Sequence, residues 1–260
     1  MGKAAGAQAV SPSHFRPPHT GARRWLRLGL DLVYPPVCAR CQETIEPGSP
    51  ASLCAACRAA LVDARPGCPR CGALLPADSQ PCPRCRDARL HFDSVWRLGP
   101  YQGALRSAVL RTKHSSEGAL AAALGELLAE TAGGALAALA LDVVVPVPMH
   151  WTRKMWRGAN SPDVVAGRLA GHLGVPSRGD LLRRCRRTAP QASLSPAGRA
   201  ANVRGAFRAK PHWDLPGARV LLVDDIMTTG ATANEAAKTL SKVGAALVVV
   251  AVLARAEGPA

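Results

Sequence analysis

The sequence lacks any apolar run long enough to cross a membrane, which takes about 20 consecutive residues. Its most apolar stretch, Ala119 to Val147, is interrupted by Glu126, Glu130, Gly133, Gly134 and Asp142. An export signal is missing too. Trp25 to Val33 reads as a short helix, but Arg27 and Asp31 break it, which makes a poor signal-peptide core. The expectation is a cytoplasmic chain without a membrane span. Acids are few: 18 Asp and Glu stand against 33 Lys and Arg, a formal net charge of +15. Aromatics are scarce around the basic stretch 178–210, with Phe207 and Trp213 alone nearby. That argues against a stacking platform for single strands.

Cysteine is what the chain has in abundance. Eight of its nine cysteines form four Cys-x-x-Cys pairs within 48 residues: Cys38/Cys41, Cys54/Cys57, Cys68/Cys71 and Cys82/Cys85. This spacing lets two thiolates of one turn grip one ion, and two turns complete a tetrahedral four-cysteine zinc site. Eight thiolates therefore predict two structural zinc ions. Sequential pairing is expected, with Cys38, Cys41, Cys54 and Cys57 around one ion and Cys68, Cys71, Cys82 and Cys85 around the other. The gaps between knuckles, 12 and 10 residues, are short enough for hairpin ribbons. An interleaved pairing stays open. Disulfides would need an oxidising compartment. Four thiolates leave no open position for a substrate, so the zinc is structural. The module is poor in large apolar residues and is expected to fold on metal binding.

Each four-thiolate zinc site contributes a net −2, so two of them lower the formal charge of +15 to about +11. The remaining charge is uneven. Residues 178–210 carry nine basic side chains (Arg178, Arg183, Arg184, Arg186, Arg187, Arg199, Arg204, Arg208 and Lys210) against Asp180 alone. Such a cluster attracts phosphate, of a small ligand or of a nucleic-acid backbone. Cys185 lies within it and reads as a small residue on a strand edge.

Residues 91–260 alternate between strand and helix patterns, which predicts a mostly parallel sheet with helices on both faces. Strands are expected at Ser94 to Leu98, Asp142 to Pro148, Leu181 to Arg183, Arg219 to Asp224 and Ala246 to Leu253. Helices are expected at Ala104 to Arg111, Glu117 to Ala132, Pro162 to Leu173, Pro196 to Val203 and Ala233 to Val243. Residues 1–24 read as a disordered extension. Residues 25–90 read as a helix plus the cysteine module.

One segment carries most of the functional information. Val220 to Val223 is a buried-strand run. Asp224 and Asp225 follow, and neither can be buried unpaired without a large desolvation cost. They are expected at the strand's carboxyl end, where open α/β sheets bind ligands. Thr228, Thr229, Gly230, Ala231 and Thr232 then open a helix. A hydroxyl-rich turn at a helix start cradles phosphate, because the first helical N–H groups have no internal partner. Paired carboxylates accept hydrogen bonds from sugar hydroxyls. Together these features describe a ribose 5-phosphate site.

This segment resembles the phosphoribosyl pyrophosphate (PRPP) motif of type I phosphoribosyltransferases. The resemblance implies that Asp224 and Asp225 hold the ribose hydroxyls and that residues 228–232 hold the 5′-phosphate. It implies PRPP bound with Mg²⁺, and a pyrophosphate loop at Pro148, Met149 and His150. Arg157 and Lys113 are further candidates for phosphate contact. Three more segments are informative: Tyr101-Gln-Gly103, Arg157-Gly-Ala-Asn160, and Pro190-Gln191-Ala-Ser-Leu194. Together with the cysteine module they resemble the ComF family over residues 30 to 256. That resemblance implies a role in DNA uptake during natural transformation, with single-stranded DNA and the uptake machinery as partners. It also implies an α/β, type I phosphoribosyltransferase-like fold at 91–260, preceded by a small zinc-ribbon module. Family members usually carry Arg-Gly-Phe-Asn-Gln where this chain has Ala159 and Ser161. They carry Leu-Lys-Tyr where it has Thr112-Lys113-His114.

Overall fold

A computed structural model describes residues 34–46, 52–75, 81–149, 160–186, 188, 195–210 and 215–257. His150, Arg153, Lys154, Arg157, Ala159, Arg187, Gln191, Leu194 and the 1–24 extension lie outside them, as does the helix expected at Trp25 to Val33.

The central sheet has four parallel strands in the order β1-β6-β5-β2. They are β1 (Ser94–Pro100), β2 (Val143–Pro146), β5 (Arg219–Met227) and β6 (Leu247–Arg255). Both inner strands are nearly continuous apolar runs, as a sheet covered on two faces requires. Their side chains divide by the period of two. Leu221, Val223, Val249, Ala251 and Leu253 join one core, whereas Val220, Leu222, Val248, Val250 and Val252 join the other.

The first core is covered by α2 (Gly103–Arg111), α3 (Gly118–Ala137) and α4 (Ser161–Leu173). Helix α3 has the length and apolar character of a membrane span, but two-thirds of its apolar window is buried inside the fold. The second core is covered by α6 (Ala231–Lys242), which buries Ala233, Ala236, Ala237 and Leu240. Helices thus lie on both faces, as expected.

Two strands depart most from the sequence reading. The segment expected as a sheet strand near Leu181 is β3 (Leu182–Arg184). It pairs antiparallel with β4 (Phe207–Ala209) in a separate two-stranded sheet. Only three residues long, β4 has too little pattern to announce itself. Between the two strands lies α5 (Pro196–Val203), capped by Ser195, whose hydroxyl accepts from the Gly198 amide at 3.2 Å. The other departure is β5, which continues through both acids to Met227. Nine-residue β6 offers it partners as far as Met227↔Arg255.

The cysteine module also differs from a pair of simple hairpins. Cys54 caps α1 (Ala55–Leu61) with its side chain, accepting from the Cys57 amide at 3.5 Å. Ile45, Leu53 and Leu61 from this half join the main core beside α2 and α3. This half of the module therefore buries apolar side chains in its neighbour's core.

Candidate functional site

Each ribbon opens with the same knuckle. The Cys38 amide donates to Glu43 O at 2.8 Å and the Cys68 amide to Ala73 O at 2.7 Å. Thirty residues apart, Gln42 and Gly72 both take a left-handed turn, with φ of 66° and 71°. The sulfurs of Cys38, Cys41, Cys54 and Cys57 lie within 4.8 Å of one another, and so do those of Cys68, Cys71, Cys82 and Cys85. Sequential pairing is what the fold adopts. A tetrahedral zinc with Zn–S near 2.3 Å needs sulfurs about 3.8 Å apart. Cys41–Cys54, Cys68–Cys85 and Cys71–Cys82 stand at 3.8, 3.7 and 3.8 Å. The Cys54 amide and the Arg40 guanidinium donate to Cys38 Sγ and Cys57 Sγ at 3.4 and 3.3 Å, as negative thiolates require. The donors fit two closed, structural zinc sites.

At the sheet's carboxyl edge, β2 ends first. Pro146 pairs with Val223, and the Val147 amide donates to Val223 O at 2.7 Å. Among the described residues, β5 keeps only β6 beside it from Asp224 onward. Pro148 and Met149, both half-buried, follow directly after β2. Asp224 Oδ1 accepts from the Asp225 amide at 2.9 Å, and Asp225 Oδ1 from the Ile226 amide at 2.7 Å.

The two acids then part company. Asp224 lines a hollow with Ile226, Thr228, Thr229, Gly230 and Thr232. Burial, then the neighbouring Asp225 carboxylate, pushes its carboxyl well above the ordinary 3.8. Asp225 turns to Lys113, whose Nζ stands 3.4 Å from Asp225 Oδ2. Lys113 thus joins the acid pair from the end of α2, over 100 residues away in sequence. That pairing was not legible from the local motif.

The loop ends in α6, and Gly230 is its cap at φ 80°. A Cβ there would stand 2.6 Å from Met227 Cε, and the left-handed turn adds strain for any other residue. Helix α6 starts at Ala231, two residues earlier than expected, so Ala231 and Thr232 form its first turn. Their amides are among the orphan donors of a helix start.

Asn160 and Ser161 are buried at the start of α4. Ser161 Oγ donates to Thr112 Oγ1 at 3.1 Å, which donates in turn to Val109 O at 2.9 Å. Two departures from the family pattern, Thr112 for Leu and Ser161 for Gln, therefore meet in one hydrogen bond. Pattern reading alone had no means to pair them.

Residues 29–86 match the double zinc ribbon domain, and residues 163–259 match the phosphoribosyl transferase domain. The class is thus a double zinc ribbon joined to a phosphoribosyltransferase domain. Competence protein F of Haemophilus influenzae is 31% identical over 208 residues, covering 78% of this chain and 90% of that protein. DNA utilization protein YhgH of Salmonella typhimurium is 34% identical over 209 residues, with coverage of 78% and 90%. The protein of that name from Escherichia coli K12 is 31% identical over 230 residues, covering 86% and 99%. The chain belongs to this family, the ComF family.

Proposed function

We propose that this chain binds PRPP and serves DNA uptake as a phosphoribosyltransferase-like protein of the cytoplasm. One observation carries the reading. Asp224 sits half-buried in the carboxyl-terminal half of β5, past the last residue that β2 pairs with, and lines one hollow with the Thr-Thr-Gly turn that opens α6. The acid accepts hydrogen bonds from ribose hydroxyls, while the loop and the first amides of α6 hold the 5′-phosphate. Asp225, paired with Lys113, offers the second ribose contact. The loop of Pro148, Met149 and His150, with Arg157 beyond it, takes the pyrophosphate. Magnesium fits this chemistry as the hard counter-ion of the pyrophosphate oxygens and supplies charge neutralisation there.

In a transfer reaction the ribose C1–O bond to pyrophosphate breaks, pyrophosphate leaves with the electron pair, and C1 bonds to an acceptor. The side chains at hand supply positioning and charge, which can carry such a step without a general base. Isothermal titration with PRPP and Mg²⁺ tests the site. Saturable binding is expected, with affinity falling more than about tenfold when both acids become alanine. Binding equal in parent and double variant would remove the acids from the site.

A second reading, a non-catalytic module that binds single-stranded nucleic acid in response to PRPP, is favoured by the small sheet. Arg183 and Arg208 are exposed and directly opposite each other across β3 and β4. Like charges so placed repel unless an anion lies between them. The printed names of the relatives, a competence protein and DNA utilization proteins, agree with a nucleic-acid partner. Arg184 is a poorer probe, since it stacks on Phe207 at 5.4 Å and bonds Thr188 at 2.5 Å. Charge reversal at Arg183 and Arg208 should weaken single-stranded DNA binding and flatten its salt dependence by about two ions. An unchanged salt slope would count against this surface.

A further inference from the structure

Arg255, the last residue of β6, is 5% exposed. Its Nε donates to Cys71 O in the second ribbon at 3.0 Å. On the other side its Nη1 donates to Met227 O at 3.3 Å, and also to Thr228 O and Ala256 O. All four acceptors are backbone carbonyls. One buried guanidinium therefore spans from a zinc ligand's own peptide to the first residue of the Thr228–Thr232 loop. A buried cation needs negative charge nearby. The Cys71 sulfur and the Glu257 carboxylate are the negative groups that act on Arg255, and a four-thiolate zinc site carries a net −2.

Two other contacts run in parallel. Asn234, in the first turn of α6, accepts from the His91 amide at 2.6 Å and donates to Arg89 O at 3.2 Å. Its own amide donates to Gly230 O at 2.8 Å. Arg89 and His91 lie just beyond the last zinc ligand, Cys85. Among the described residues, the first ribbon makes none of these contacts. It meets α2 and α3 instead: Arg111 Nη1 donates to Arg40 O at 2.7 Å, Ser52 Oγ donates to Glu126 at 2.7 Å, and Arg58 pairs with Glu130.

We propose that Arg255 is a positioning residue that joins the second zinc ribbon to the Thr228–Thr232 loop, so that zinc in that ribbon and a phosphate ester on the loop bind cooperatively. The inference rests on reading that loop as a phosphate site. Coupling of this kind is reciprocal: whatever zinc does for the ligand, the ligand does for zinc. The first ribbon stands outside the coupling, because none of its described residues hydrogen-bonds to Arg255 or to α6.

The test uses the full chain loaded with two zinc ions, and ribose 5-phosphate as the probe. Zinc loss to a colorimetric chelator is followed with and without the probe. Single-site Cys41→Ser and Cys71→Ser proteins assign the two phases. The probe should slow loss from the second ribbon about tenfold and leave the first unchanged. In Arg255→Lys, which keeps the charge but cannot span both carbonyls, the protection should fall below about twofold. Equal slowing of both sites, or undiminished protection in Arg255→Lys, overturns the proposal. If titration shows that the probe does not bind the parent, the phosphate reading fails, and hydrogen exchange still decides the mechanical link. Amides 228–232 should exchange faster in Cys71→Ser than in Cys41→Ser. Equal exchange in the two overturns the link. Should Cys71→Ser fail to fold, Arg255→Lys against the parent gives the same readout.

Discussion

The two ribbons share a ligand spacing and an opening knuckle, yet they are held in the fold by different forces. The first places Cys38, Ile45, Leu53, Cys57 and Leu61 in the main apolar core beside α2 and α3. Among the described residues, the second buries its cysteines and Ala73 in a small cluster of its own, and is fixed by hydrogen bonds to side chains from outside. Arg255 bonds Cys71 O, Arg97 Nε bonds Gly72 O at 2.7 Å, and Glu257 Oε1 accepts from the Leu74 amide at 3.0 Å. Their exposure differs accordingly. Cys41 of the first site is exposed, whereas all four ligands of the second are buried. Identical local chemistry therefore serves two roles. One ribbon extends the core; the other is wired by hydrogen bonds to a loop.

Loss of a ligand should separate them most. Cys57→Ser is expected to lower the global melting temperature steeply, since its zinc orders a wall of the main core. Cys71→Ser should cost less global stability and more order in residues 228–232. Calorimetry with metal analysis reads both, and equal global losses would break the contrast. Next in size is Leu61→Ala. That side chain is 1% exposed in the main core, so its truncation should cost about 2–5 kcal/mol by denaturant titration.

The shared turn offers a finer probe. A Cβ on Gly72 would meet Val95 Cγ1 at 2.8 Å in addition to its φ of 71°, so Gly72→Gln should destabilise by roughly 1–3 kcal/mol. The mirror change, Gln42→Gly, relieves a left-handed turn and should be neutral or stabilising by less than about 1 kcal/mol. Thermal melts of the pair show whether the knuckles are as alike as their hydrogen bonds.

On the loop side, Asp224 predicts a pH effect. Its carboxyl titrates above 3.8 when folded, from burial and the Asp225 charge. The folded state then binds more protons than the unfolded one, so ligand-free stability falls as pH rises from about 3.8 through the raised value. Asp224→Asn should remove that fall. The variant should be the more stable at pH 7 and match the parent near pH 3.5 in urea titrations. Smallest of all is Arg58→Ala. Arg58 and Glu130 are 34% and 44% exposed, and the pair should contribute under about 1 kcal/mol.

Much of this organisation was legible in local pattern. The four Cys-x-x-Cys pairs, the apolar runs of β5 and β6, and the acid pair before Thr-Thr-Gly all work over spacings of a few residues. Covalent geometry alone brings such neighbours together. What escaped the pattern was short or distant. Strand β4 is three residues long. The end of β5 was set by how far β6 runs beside it. Lys113 meets Asp225 only because α2 ends over the carboxyl edge of the sheet.

By itself, then, the sequence determined which residues could hold zinc, which strands would be buried on both faces, and where two acids and a hydroxyl-rich turn would fall. Tertiary structure settled the expected sequential pairing of the thiolates against an interleaved one, and it alone decided the parting of Asp224 from Asp225 and the path from Cys71 through Arg255 to Thr228. The reason is one of range. Ligand spacing and side-chain period are local properties of the chain. The partner of a buried charge 184 residues away is chosen by which surfaces the apolar cores bring together.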